Sequence, residues 1–103
     1  MDKQIAVMGR VRFLPERLHE VLGPLKAMVE ATRRLDGCLA YDTAVDLFEP
    51  GLIRISEMWP DLASLRRHTQ ADHIAPWHQA CRNCGMLEKH YAIWTVSPTQ
   101  LGG

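Results

Sequence analysis

Charge of a single sign is missing from this sequence. Twelve Lys and Arg residues offset twelve Asp and Glu residues over 103 positions, and the formal net charge is zero. The basic residues are scattered, with Arg33-Arg34 and Arg66-Arg67 the only doublets. Phosphate backbones are held by clustered positive charge, so nucleic acid is not an expected partner. Long apolar runs are missing too: none approaches the roughly 18 residues that cross a bilayer. Met1-Asp2-Lys3-Gln4 lacks the basic-then-apolar layout of a secretory signal. Cysteine is scarce, and three residues cannot make an all-paired disulfide framework. Repeats and low-complexity tracts are absent. What remains is the expectation of one cytoplasmic domain over residues 1–103, with a core over about 5–96 and a loose, flexible tail over 97–103. A chain of this size buries roughly two-thirds of its unfolded surface.

Periodicity then supplies the elements. Residues 5–13 alternate, with Ile5, Val7, Val11 and Phe13 on one face and Ala6, Met8, Arg10 and Arg12 on the other. Gly9 interrupts the first face, which implies either a bulge or room for something to approach. A helix is predicted over 15–35, its stripe formed by Leu18, Val21, Leu22, Leu25, Met28, Val29 and Leu35. Pro24 should kink it, and Asp36-Gly37 should end it in a left-handed turn. Residues 39–47 and 52–59 read as a hairpin around Phe48-Glu49-Pro50-Gly51. Asp61 is a suitable N-cap for a helix over 62–70, Asp72 for a second over 73–82, and Gly85 should stop the latter. Residues 89–96 are the last strand. The order strand, helix, strand, strand, helix, strand is the α+β, ferredoxin-like pattern, an antiparallel sheet with helices on one face. Its other face would carry Met8, Met58, Ala92, Trp94 and Val96. An apolar patch of that kind calls for a partner, and a homodimer joined sheet to sheet is the economical one.

Polar chemistry concentrates at one corner. Glu57 and Trp59 stand two residues apart on a strand and so project from the same face. His68 follows Leu65 by three residues and Leu62 by six, which continues the inward stripe of its helix. His73 falls at a helix start, where the dipole favours the neutral imidazole. Each position has a plainer reading. Glu57 could instead pair with Arg10 or Arg12, Trp59 could be core, His68 could cap a core hydrogen bond, and His73 could pack on the preceding helix. His68, His73 and His78 are five apart, about 140° per step on one continuous helix, which does not make a ligand set. A break near Ala71-Asp72 could join two of them, not three, so no metal is expected. Cys81-Arg82-Asn83-Cys84 sits at a helix C-terminus, where the dipole opposes thiolate formation. Zinc there would find only His78 as a further ligand nearby. These thiols read as incidental, and His19 and His90 as surface or interface residues.

Three features together, the element order, Asp36-Gly37-Cys38-Leu39-Ala40-Tyr41 leading into the second strand, and Glu57-x-Trp59 followed by His68-x4-His73, resemble the antibiotic biosynthesis monooxygenase (ABM) domain. The likeness runs from about Ile5 to Val96. It implies a dimeric α+β barrel and a group that includes quinol monooxygenases working without a cofactor. An electron-rich phenol or quinol, once deprotonated, can itself reduce dioxygen, so the protein need only supply a base, hold the anion and exclude water. In this chain the resemblance points to His68 and His73 as catalytic and to Glu57, Trp59, Tyr41 and Trp77 as substrate-binding, with a small aromatic and O2 as partners. The group also includes an isomerase with a histidine pair at this spacing and members without assigned activity, so an acid–base isomerase and a non-catalytic binding domain stay open. Its haem-degrading branch is matched by His78 as the ligand. The tryptophan ten residues earlier is here His68, and the first-strand asparagine is replaced near Gly9, so haem degradation is disfavoured.

Overall fold

A computed structural model describes residues 3–99. Strand β1 (Gln4–Arg12) lies in the interior of the sheet and buries Ile5, Val7 and Val11 on one face. It pairs with β3 (Leu52–Trp59) on one side and β4 (Glu88–Val96) on the other. Strand β2 (Ala40–Val45) completes the antiparallel order β2-β3-β1-β4. It ends earlier than the predicted 39–47. The Asp46 N–H still donates to Leu52 O at 2.9 Å, but its carboxylate accepts from the Phe48 and Glu49 amides at 2.9 and 2.8 Å, which turns the chain over directly afterwards. Register through β1 is uninterrupted, so Gly9 makes no bulge.

Helix α1 (His19–Leu35) follows a single 3-10 turn over Pro15–Arg17 and runs on through Pro24, whose missing amide proton removes one backbone bond. Its buried line is Val21, Leu25, Met28, Val29 and Thr32. Leu22 and Leu35, expected in that stripe, are exposed. Leu22 lies one step, about 100°, round the helix from Val21 and misses the sheet. Gly37, at φ 75°, ends the helix in the left-handed region.

Helix α2 (Leu62–Thr69) starts as expected, with the Asp61 carboxylate accepting from the Ser64 amide at 2.8 Å. The next segment differs. A 3-10 turn over Asp72–Ile74 precedes α3 (Ala75–Asn83), and Asp72 makes no side-chain cap. The turn satisfies its own amides, Ile74 N–H to Ala71 O and Ala75 N–H to Asp72 O, leaving the Asp72 carboxylate no donor to serve. Gly85, at φ 64°, closes the helical segment.

All three helices cover one face of the sheet, which gives the ferredoxin-like α+β architecture. Phe13, Met28, Ile53, Ile55, Trp59 and Val21 are shut off from solvent between the two layers. The opposite face divides in two. At one end Arg10, Arg12 and Arg54 meet Asp46, Glu49 and Glu88. At the other, Ala6 sits between Met58 and Trp94 and Met8 beside Ala92, with Met8 59% and Trp94 47% exposed. Among the described residues no helix is long and apolar enough to cross a membrane. Of the tail anticipated over 97–103, residues 97–99 carry no regular structure and 100–103 lie outside the described residues.

Candidate active site

Strand register lays out the floor of a cavity. Tyr41 faces Glu57 across β2 and β3, Glu57 faces Val7 on β1, and Val7 faces Ile93 on β4. These four side chains form one row across the helix-facing surface, and all four line a cavity of about 320 Å³. Leu65, His68 and Thr69 of α2 and Ile74, Trp77 and His78 of the following segment line it from the helical layer, with Lys89 and Tyr91 from β4. The volume lies at the lower end of the roughly 300–1,000 Å³ usual for small-molecule pockets. Gly9 explains the place of Tyr91. The two residues are paired across the strands, and a Cβ on Gly9 would overlap the Tyr91 ring.

His68 is the most constrained polar group of this cavity. Its ring stacks at a tilt on Trp59, 4.8 Å between centroids, and lies 5.3 Å from Tyr41. Its Nδ1 is 2.8 Å from Asp36 Oδ2, and His73 Nε2 approaches the same oxygen at 2.7 Å. A carboxylate only accepts, so both rings donate to it. His68 Nδ1 therefore carries the proton, and Nε2 keeps its lone pair with no protein partner among the described residues. Burial lowers the His68 pKa below the ordinary imidazole value, with Asp36 opposing the shift, so the ring is held towards neutrality.

Glu57 is buried and accepts from Trp59 Nε1 at 2.8 Å. Burial raises its pKa, and the indole N–H works the other way. The alternative of pairing with Arg10 or Arg12 is excluded, because those arginines project from the opposite face and hold Glu49 and Glu88. Tyr41 and Tyr91 have pKa values pushed above the usual phenol range, chiefly by burial and then by Glu57. Both phenols stay protonated and can donate to a ligand. Burial also lowers the His78 pKa, with Lys89 and Arg82 adding to the effect.

The expected site residues thus separate. Tyr41, Glu57, His68 and Trp77 line the cavity. Trp59, fully buried, lies behind His68 and Tyr41 as their support rather than in the lining. His73 is turned to Asp36 and also stands outside the lining. The break at Ala71-Asp72 does bring two histidines together, with His78 apart from them. Asp36 was legible only as a helix stop, since nothing in its spacing marks it as the partner of residues 32 and 37 positions later. Tyr91 did leave a trace, the side chain missing at Gly9. Burial pushes the Cys81 thiol up to about 11, and Cys81 and Cys84 are both free.

Residues 4–80 match the profile of the antibiotic biosynthesis monooxygenase family. The chain belongs to the ABM family. An uncharacterized protein, sll1783 of Synechocystis sp., is 22% identical to this ABM chain over 99 residues, covering 96% of it and 67% of the relative. A crystal structure from Deinococcus radiodurans, provisionally called an antibiotic biosynthesis monooxygenase, superimposes with TM-score 0.86 at 22% identity, over 96% of this chain and 99% of the other. A conserved protein from Methanosarcina mazei Go1 does so with TM-score 0.83 at 25% identity, over 92% and 94%. These structures share the ferredoxin-like fold of this ABM chain.

Proposed function

We propose that this ABM chain is a cofactor-independent monooxygenase that oxidises a small phenolic or quinol-type aromatic with O2. The observation that carries the reading is the Asp36–His68 hydrogen bond, which leaves a neutral imidazole nitrogen free on a ring that lines the cavity. His68 Nε2 takes the proton of a substrate hydroxyl, and Asp36 steadies the imidazolium that results. Tyr41 and Tyr91 donate to the substrate oxygens, Glu57 is a further polar contact, and Trp77 borders the ring among apolar side chains. His73 holds Asp36 in place as a positioning residue. The phenolate passes one electron to O2, the two radicals combine at ring carbon, and the peroxide loses water. For a simple phenol the sum is phenol plus O2 giving quinone plus water, with no outside reductant.

Oxygen uptake with a panel of phenols and hydroquinones tests the assignment. His68→Gln should lower kcat by about 10²–10⁴-fold, the usual span for a general base. Asp36→Asn should lower it too, because the amide can donate to Nδ1 and favours the wrong tautomer. The rate should rise with pH along a limb below about 6.5, set by the lowered His68 pKa. Undiminished turnover in both variants removes the proposal, and turnover without oxygen replaces it with an acid–base isomerisation on the same His68.

The same reading takes the chain as one cytoplasmic domain paired with a second copy through the apolar half of the outer sheet face. Trp94→Glu, which would bury two charges in such a joint, should give a monomer by sedimentation, and an unchanged mass would remove the pairing.

A further inference from the structure

We infer that Asp36, His68 and His73 form a binding site for a divalent transition-metal ion, and that an ion there switches off the base proposed above. The switching clause rests on that function, whereas the binding clause rests on geometry alone. One oxygen and two ring nitrogens lie within 4.8 Å of one another. The carboxylate oxygen is already 2.8 and 2.7 Å from the two nitrogens. Zinc binds imidazole nitrogen and carboxylate oxygen at about 2.0–2.1 Å, which sets tetrahedral donors about 3.3 Å apart. To admit an ion the carboxylate oxygen must therefore part from each nitrogen by roughly half an ångström, while the two nitrogens, up to 4.8 Å apart, close by up to about 1.5 Å through rotation of the rings. Two imidazoles and a carboxylate suit zinc and its neighbours cobalt and nickel, and disfavour magnesium or calcium, which take oxygen donors.

The side chains are prearranged and reachable. Asp36 is 10% exposed, His68 5% and His73 18%, so an ion enters past His73. Positions left open by three protein ligands would be taken by water or by the second oxygen of Asp36.

Occupancy changes the tautomer of His68. The ion takes the Nδ1 lone pair, so the single proton of the neutral ring moves to Nε2. His73 binds through Nε2, so its proton moves from Nε2 to Nδ1. Each ring retains one proton and none is lost overall. The nitrogen of His68 that accepts a substrate proton in the metal-free chain becomes a donor and cannot act as a base. Metal binding and proton abstraction are mutually exclusive uses of one imidazole.

Competition between the EDTA-stripped protein and a chromogenic chelator for Zn2+ measures the site, and Co2+ reports coordination through its visible bands. One ion per chain is expected. Asp36→Asn and His73→Gln should each weaken binding by about tenfold or more, since losing even a group that merely supports a ligand costs about 10–100-fold, while His19→Gln and His90→Gln leave it unchanged. On the unsubstituted protein, Zn2+ should shift the ring resonances of His68 and His73 and not those of His19 or His90, a readout that does not depend on how the variants fold. Absence of binding at micromolar metal, or equal losses in all four variants, overturns the site. Saturating Zn2+ should then abolish oxygen uptake, with EDTA restoring it, and uptake that persists with the ion bound overturns the exclusion. A chain that binds Zn2+ but turns over no phenol or quinol refutes the oxygenase reading and leaves the metal site standing.

Discussion

The two faces of the sheet use polar groups in opposite ways. On the outer face Arg12 reaches Glu49 and Glu88 at 2.6 and 3.0 Å, Arg54 reaches Asp46 at 2.7 Å, and these groups keep a share of solvent. Arg10 Nε lies 2.8 Å from Glu88 Oε2 as an ion contact, without the alignment of a hydrogen bond. On the inner face His68, Tyr41 and Tyr91 line a cavity, and neither His68 Nε2 nor either phenol has a hydrogen-bond partner among the described residues. Exposed pairs add little to stability, because water competes for both partners. Buried polar groups without partners cost stability unless something else satisfies them. The outer network therefore reads as surface, while the inner set is what the proposed ligand would satisfy.

Substitutions can break this contrast, and the largest effect belongs to Trp59. It is fully buried, supports His68 and Tyr41, and donates to Glu57. Trp59→Ala should cost about 3–5 kcal/mol in denaturant unfolding. Trp59→Phe keeps much of the bulk but orphans the Glu57 carboxyl, a smaller loss of about 1–3 kcal/mol. A result for Ala no larger than for Phe would show that packing at this corner is loose.

Gly9→Ala comes next. The new methyl meets the Tyr91 ring, and overpacking of this kind costs about 1–3 kcal/mol. In a Tyr91→Ala background the same change should be close to neutral. A double-mutant cycle with no coupling would mean that Gly9 is needed for a reason other than Tyr91.

Glu57 sharpens the contrast through pH. Its folded pKa is raised by burial, so the protonated carboxyl contributes stability that is fully present below the unfolded value and lost as pH rises through the folded one. Glu57→Gln, which stays neutral, should gain on the parent protein as pH climbs above about 4.5. Melting curves from pH 4 to 8 that run parallel would place this carboxyl in water rather than in the cavity wall. Arg12→Ala should do least, scarcely moving the melting temperature, and salt should reduce even that small change. A large loss there would mean that the outer charges act as a rigid network.

How much was legible in advance follows the range of each interaction. The alternation of Ile5, Val7, Val11 and Phe13 marked the buried face of β1, and Asp61 marked the start of α2, because strand pleat and N-cap are settled within a few residues. The placing of Glu57 and His68 near one corner also followed from the pleat and the helical period. Leu22 misled, since a stripe shows which positions are apolar and not how wide the surface beneath them is. Asp72 misled for a related reason, as capping preference says nothing about a preceding 3-10 turn that already uses the amides.

By itself, then, the order of residues determined the elements, their sequence along the chain and the ferredoxin-like class, through interactions that close within a turn or a strand pair. Only the folded chain decided that Asp36 at the end of α1 serves His68 and His73, that Tyr91 occupies the space above Gly9, and that Trp59 stands behind the cavity rather than in it. The contacts of Asp36 and Tyr91 join residues dozens of positions apart, and those of Trp59 join three separate elements. Their meeting depends on how layers settle on one another, and no local period records that.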